Sequence, residues 1–310
     1  MLESLVVLLR LVQYLGAVLL FGMPLFFALR MAPSGLDLET RARRLLLSAA
    51  VLTMLGSLAA LVLQTAVMAG TMAEALKPAS LSYMALDTAI GRAFLARAVA
   101  AALFGLLSSG LPRLVTWPVT WPILTTLGFV VCASLAWTGH GAATEGGWGL
   151  VHLGASIIHA AAAAMWLGAL AALGLFLTAP YGNPQRDSLT HAALHGFAGM
   201  GTLAVGLLVV TGLVNSGFLV GVERWAALWT TPYGLLLSAK LFVFIGMLAL
   251  AASNRFDLTP RLHRALEKVE QLPAAIGALR RSLALETSLA LVLLGLVAVM
   301  GTLAPPTAML

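Results

Sequence analysis

Eight apolar stretches, each about the length of a bilayer crossing, leave this chain almost no residues for a soluble domain. They run over Leu5–Met31, Leu45–Gly70, Ile90–Gly110, Trp117–Trp137, Leu150–Thr178, His191–Gly221, Pro232–Asn254 and Ala284–Leu303. A helix of about 20 apolar residues crosses the ~30 Å hydrocarbon layer. Only 10% of the residues are charged and 60% are hydrophobic, against about 25% charged in an ordinary globular domain. Mean hydropathy is +0.97. The expected fold is therefore an all-α polytopic membrane protein with eight transmembrane helices, a single membrane domain over 1–310. Segment 255–283 is the only sizeable aqueous piece expected. Function has to be sought in the few polar side chains set inside apolar segments, because lipid makes each of them costly.

The first stretch reads as a membrane helix rather than a cleaved signal peptide. It lacks a basic leader, is too long, and is interrupted by Arg10 and Gln13. Lys and Arg outside the spans are strongly biased. Twelve follow helices 1, 3, 5 and 7 (Arg30, Arg41, Arg43, Arg44, Arg113, Arg186, Arg255, Arg261, Arg264, Lys268, Arg280 and Arg281), and two, Lys77 and Arg224, lie on the other side. The positive-inside rule then puts both termini outside the cytoplasm. Anionic lipid headgroups account for the net charge of +6, so nucleic acid is not an expected partner. The one cysteine, Cys132, is read as a small packing residue, and no CxxC motif is present.

Short matches suggest a duplication of four helices plus four, with halves 1–137 and 138–310. Tyr14-Leu15-Gly16-Ala17 in helix 1 parallels Trp166-Leu167-Gly168-Ala169 in helix 5. Gly91 and Arg97 in helix 3 parallel Gly234 and Lys240 in helix 7. An even number of helices per unit makes this a parallel repeat, with its pseudo-axis along the membrane normal.

Helix 5 carries His152 and His159, seven residues apart. Almost two turns separate them, so both imidazoles share one face, ~10 Å apart along the axis. Upstream, Trp137-Thr138-Gly139-His140-Gly141 puts a third histidine in a glycine-rich turn on the same side. Imidazole suits copper, zinc, iron and nickel, and Cu(I) also accepts thioethers. His140, His152 and His159 are thus candidate metal ligands, a packed or hydrogen-bonded histidine being the alternative for each. Met68 and Met72 at the end of helix 2 are spaced for one face, with Met84 in the next loop; packing is the competing account. His191 and His195 at the other end of helix 6 also share a face, either as ligands or as interfacial residues. Arg97 and Lys240 sit ~12 Å into their helices, too deep for easy snorkelling, and are expected to face the bundle interior. Arg10 lies at a similar depth. Glu286, placed at the start of helix 8 opposite the termini, is too far to pair with Arg97 or Lys240. Glu74, Asp87, Glu145 and Glu223 are loop charges that attract cations or are simply solvated. Asn215 is placed to line a site near the termini. In 255–283, Thr259-Pro260 reads as an N-cap and first-turn pair. Leu262, Leu266 and Val269 recur opposite Arg264, Glu267 and Lys268, the pattern of an interfacial amphipathic helix.

Several segments together resemble the copper resistance D family of bacterial inner-membrane proteins. They are Trp137-Thr-Gly-His140-Gly-Ala, His159 with Trp166-Leu-Gly-Ala-Leu170, Thr211-Gly-x-x-Asn215, and Thr231-Pro-Tyr-Gly234 followed by Lys240. Asn254-Arg255-x-x-Leu258-x-Pro260, Leu279-Arg-Arg-Ser-Leu-x-Leu-Glu286 and Gly301-Thr-Leu-Ala-Pro305 complete the set. The resemblance implies copper tolerance or uptake, often with a small periplasmic copper-binding partner. It carries His140, His159, Lys240 and Glu286 over as motif positions. The chain departs from the pattern before His159, where Ser156 is the nearest polar residue in place of an expected acid. It also has no fused periplasmic domain and no Met-rich tail.

The reading that follows is an inner-membrane copper-handling protein, not an enzyme, that moves copper ions or accepts them at an outward histidine cluster. Arg97, Asn215, Lys240, Glu286, Trp166, Met68 and Met72 are its pathway or supporting residues. Neither a Walker A motif nor an Asp-Lys-Thr-Gly-Thr phosphorylation sequence is present, so transport would be passive, ion-coupled or driven by a partner. A haem- or quinone-linked oxidoreductase is one alternative, with His159 as a lone axial ligand. A bis-histidine haem is disfavoured because His191 and His195 lie at the opposite edge. A non-catalytic assembly or chaperone subunit is the other.

Overall fold

The computed structural model describes residues 2–30, 36–111, 117–178, 184–266 and 268–308. Met31, Arg113 and Glu267, used in the sequence reading, lie outside them, and so do the side chains of Arg186 and Val269. Among the described residues eight helices are long and apolar enough to cross a membrane: α1 Glu3–Leu29, α2 Asp37–Ala69, α3 Ala89–Ser109, α4 Thr120–Thr138, α5 Gly149–Leu177, α6 Leu189–Leu219, α7 Pro232–Leu266 and α8 Leu272–Met300. No strand occurs among them. One face, the terminal face, gathers both chain ends and the α2–α3, α4–α5 and α6–α7 connections. Large apolar side chains such as Leu106, Leu213 and Phe242 are exposed on the helix flanks, as lipid contact requires. Trp117, Trp148, Trp225 and Trp229 are exposed beside helix ends, the positions aromatic belts favour.

Proline shapes the centre of the bundle. Pro24 has no N–H to give the Leu20 carbonyl, and α1 widens into a π-helical turn over Val18–Gly22. The Leu20 carbonyl then accepts a close neighbour: a Cβ on Gly128 of α4 would lie 1.8 Å from it. One residue pair along, Gly22 meets α5. A Cβ on Gly168 would lie 2.4 Å from the Gly22 Cα, and one on Gly22 would lie 1.8 Å from the Ala164 carbonyl. Small residues are what let backbones approach this closely in a membrane. The contact draws α5 to the middle, where 67% of its apolar window is buried, the largest share of the eight.

The region expected to be an aqueous loop is mostly helix. α7 runs on past Asn254 through another π-helical turn, Asn254–Leu258, and α8 begins at Leu272. Pro260 cannot donate to the Phe256 carbonyl, which accounts for the widened turn. Thr259 has helical dihedrals inside this run rather than an N-cap conformation. Leu262, Ala265, Leu272, Ile276, Leu279 and Leu283 are buried in the main core. The amphipathic face thus packs against the bundle core. Glu286 consequently moves from the start of the last helix to its midpoint, ~21 Å from either end of α8.

Gly168→Ala is expected to cost about 1–3 kcal/mol of unfolding free energy through overpacking. Gly174→Ala, on the same helix with nothing within 4 Å, is expected to change it by less than about 0.5 kcal/mol. Steric-trapping or denaturant titrations of the two variants in bicelles read the difference.

Candidate functional site

The polar side chains of α5 form one stripe that meets α6 rung by rung. His152 stacks on Phe218, ring centroids 4.7 Å apart and planes 8° from parallel. Ser156 donates to Asn215 Oδ1 at 3.3 Å. His159 Nδ1 lies 2.9 Å from Thr211 Oγ1, its ring against Gly212, where a Cβ would come within 3.6 Å. The pairing is antiparallel, and the Thr-Gly-x-x-Asn motif of α6 supplies two of the three rungs.

Thr211 favours one tautomer of His159. Its hydroxyl hydrogen is committed to the Leu207 carbonyl at 2.6 Å, and a hydroxyl has only one hydrogen to give. It must therefore accept from His159 Nδ1–H, which leaves the lone pair on Nε2. Orienting one ring nitrogen through a hydrogen bond while the other stays free is how protein sites prepare a histidine as a ligand.

Above this rung, at the terminal face, the Thr138–Ala142 turn folds onto α5. A Cβ on Gly141 would sit 2.6 Å from Ser156 Oγ, so glycine permits the approach. His140 then sets its ring edge-on to Tyr233, centroids 6.2 Å apart. His152 is buried (1% exposed), and its Nδ1 pairs with Thr144 Oγ1 at 2.7 Å. His140 Nε2, His152 Nε2 and Arg10 Nη1 are all buried without a hydrogen-bond partner. The three side chains are neighbours: His140 lies within electrostatic reach of both Arg10 and His152. The chain end closes over them. Arg10 Nη1 abuts Gly301, Thr307 Oγ1 lies 3.1 Å from both the Phe218 and the Leu219 carbonyl and donates its one hydrogen between them, and Arg224 donates to the Pro306 carbonyl. Burial holds His140 below the ordinary histidine range, and the charge of Arg10 acts in the same direction. The backbone of Met300 and Leu303 opposes both and is outweighed.

Two cations sit within the apolar spans near the stripe. Lys240 of α7 reaches the surroundings of His159. Arg97 of α3, 0% exposed, donates to Ser134 Oγ at 2.9 Å, Thr138 Oγ1 at 3.1 Å and Gln13 Oε1. Its guanidinium also lies 5.3 Å from the Phe94 ring centre. The ion pairs of the described residues, Arg41–Asp37, Lys77–Glu74 and Arg261–Asp257, are exposed and lie elsewhere.

One heptad beyond His159, Trp166 Nε1 donates to Glu286 Oε1 at 3.0 Å, and Asn254 Nδ2 donates to Oε2 at 2.8 Å. His152, His159 and Trp166 thus fall on a single line along α5. Met68 and Met72 are not on it: they are 60% and 47% exposed. Met84 is packed in a separate cluster with Ala60, Leu61 and Phe94. His191 and His195 lie at the opposite face, where His191 stacks on His263 with centroids 4.9 Å apart. Cys132 is buried in the core. Among the described residues no group of three or more His, Cys, Asp or Glu is placed to hold a metal ion. Ser134, Thr144 and His263 were not singled out from sequence; Ser134 and His263 take their roles from contacts between distant segments, and Thr144 from the loop that leads into α5.

Residues 1–150 match the family model of the copper resistance protein D-like N-terminal domain, and residues 191–300 match that of copper resistance protein D. The chain belongs to the copper resistance D family. Copper resistance protein D of Pseudomonas syringae pv. tomato is 36% identical over 301 residues, 96% of this chain and 95% of that protein. Copper transport protein CutJ of Bacillus subtilis (strain 168) is 30% identical over 145 residues, 47% of this chain and 25% of that one. Inner membrane protein YebZ of Escherichia coli (strain K12) is 27% identical over 258 residues, 83% and 85% of the two chains. No solved structure matches. The chain is thus a multi-pass membrane protein of a copper-related family. Most of α5, with its stripe, falls between the two family-model matches.

Two predictions follow from this geometry. In ¹⁵N spectra of histidine-labelled protein, His159 is expected as the Nδ1–H tautomer, and Thr211→Val is expected to release it to a mixture. His140 is expected to titrate below the ordinary ~6.5. Its neutral ring then contributes stability that is full above that value and is lost as the pH falls through the lowered one. A His140→Gln variant is expected to lose that acid-side decline in a pH series of thermal unfolding.

Proposed function

We propose that the protein passes copper ions into or across the bilayer along the α5 stripe, taking them up at the terminal face. The observation that carries this reading is the pair of buried, unpartnered Nε2 atoms on His140 and His152, followed one heptad on by His159 with its lone pair on Nε2. Membership of the copper resistance D family supports copper as the cargo. Neutral imidazoles accept copper without first losing a proton. Donors arranged in succession, with at most two imidazoles close together, suit an ion in transit: binding must be tight enough to enter and weak enough to leave.

The terminal face is read as periplasmic on the positive-inside bias, in the bacterial inner membrane, and a small periplasmic copper-binding protein is the natural donor. Asn215 and Lys240 line the route. Arg97 is read as a structural partner of Gln13, Ser134 and Thr138. The two halves are read as a parallel repeat, supported by one shared construction. Thr88 accepts from the Gly91 N–H and Thr231 from the Gly234 N–H, both at 3.0 Å. Each hydroxyl donates to a carbonyl four residues back at 2.7 Å.

Elemental analysis of the detergent-purified protein, reading copper and iron together, tests the cargo. Copper is expected to be retained and to be lost when His140, His152 and His159 are all replaced by Ala. His159→Ala alone is expected to lower copper affinity about 10–100-fold with insertion intact. Unchanged copper in the triple variant overturns the site, and iron in place of copper moves haem chemistry forward.

A further inference from the structure

Glu286 is a carboxyl at the midpoint of a membrane helix, 1% exposed, with no cation paired to it among the described residues. Its two hydrogen bonds come from neutral donors, Trp166 Nε1 and Asn254 Nδ2. Among the described residues the charged groups on the elements around it are engaged elsewhere: Arg30 at the end of α1 lies against Gly196 and Gly199, Arg264 of α7 donates to the Pro260 carbonyl, and His263 stacks on His191. On α7, Lys240 faces His159 ~21 Å up the helix from Asn254, Arg255 donates to Thr202, and Asp257 pairs with Arg261. On α8, Arg280 donates to the Leu177 carbonyl and Arg281 to that of Gly277. On α5 the only titratable side chains, His152 and His159, lie two heptads and one heptad from Trp166. On α1, Arg10 is at Gly301. An isolated carboxylate so deep in lipid is expensive, and such residues mark proton or ion paths.

Asn254 supplies a second observation. Its Oδ1 is buried without a hydrogen-bond partner. With the amide as it stands, Nδ2 donates to an ionised carboxylate. Turned by half a revolution, it would present Oδ1 instead, the acceptor that a protonated carboxyl needs for its O–H. One amide therefore serves both protonation states, while Trp166 donates to Oε1 in each.

We propose that Glu286 is an exchangeable proton site: it carries a proton when the α5 stripe is empty and gives it up when a cation comes down the stripe past Trp166. On loading, a proton adds to Oε2 and its O–H bonds to Asn254 Oδ1. On unloading, the proton returns to water and the amide turns back. No other bond is made or broken. The coupling to copper rests on the transport reading above; the proton site itself does not.

The test has two arms. In pH-difference infrared spectra of the protein in lipid, a protonated-carboxyl C=O band is expected to titrate and to be missing from Glu286→Gln, which keeps an acceptor for Trp166. A band absent from the wild type, or unchanged in the variant, overturns the proposal. In weakly buffered liposomes with a pH dye, Cu(I) addition is expected to release about one more proton per chain from the wild type than from Glu286→Gln, with equal copper retained at the terminal face. Equal release from both overturns the exchange. A titrating band in a protein that holds no copper upholds the proton site and sinks the copper reading of the terminal face.

Discussion

The arrangement depends on one close approach, that of α1 to α4 and α5 around the widened turn Val18–Gly22. Pro24 opens the turn, Gly128 takes the freed Leu20 carbonyl, and Gly168 crosses Gly22 at backbone contact. Lipid supplies no hydrophobic force between helices, so packing of this kind has to hold the bundle. Because α5 is clamped at Gly168, its rotation is fixed, and with it the face that carries His152, Ser156, His159 and Trp166. These residues precede the clamp within five turns, a stretch over which a helix transmits orientation with little loss. Loosening the crossing would turn the whole stripe, not one side chain.

The polar interior follows a consistent rule: rings and cations are held by neutral groups, and acids are kept away from cations. Arg97 is met by two hydroxyls and an amide, His159 by a threonine, His152 by a threonine and a phenyl ring, Glu286 by an indole and an amide. A buried ion pair would satisfy each charge locally but would also close it to any ligand, since breaking such a pair costs several kcal/mol. Neutral partners orient these groups and leave their charge or lone pair available.

Hydropathy made the eight crossings legible, since a 20-residue apolar run has few other uses. It failed at 255–283 for a physical reason. Arg261, Arg264, Arg280 and Arg281 lower the average there, yet Leu262, Leu272, Ile276 and Leu279 on the other face are buried in the core. Charge at the rim of a bundle and charge in a loop look alike in a window average. The same error misplaced Glu286 by half a helix. The histidine stripe was legible from its seven-residue period, and Asn215 and Lys240 from depth. Most of their partners were not, because Thr211 and Asn254 become partners only once distant helices pack. Met68 and Met72 had suitable spacing, but spacing fixes a shared face and does not say which way it points.

The charges near the termini set a condition on any cation that uses the stripe. Arg10 and Lys240 stand beside His140 and His159, and no carboxylate pairs with them among the described residues. Two unit charges 4 Å apart repel by about 4 kcal/mol at an effective dielectric constant of 20, and a dication would double that. A bare Cu(II) ion is therefore poorly served by this mouth, while Cu(I), or copper still carrying an anionic ligand from its donor, halves or cancels the repulsion. Past Lys240 the sign reverses, since the next charge-bearing group on the line is Glu286 behind Trp166. The charges along α5 thus run from cations near the termini to an acid at the midpoint of α8. An ion that clears the first gains the attraction of the acid only as the acid gives up its proton.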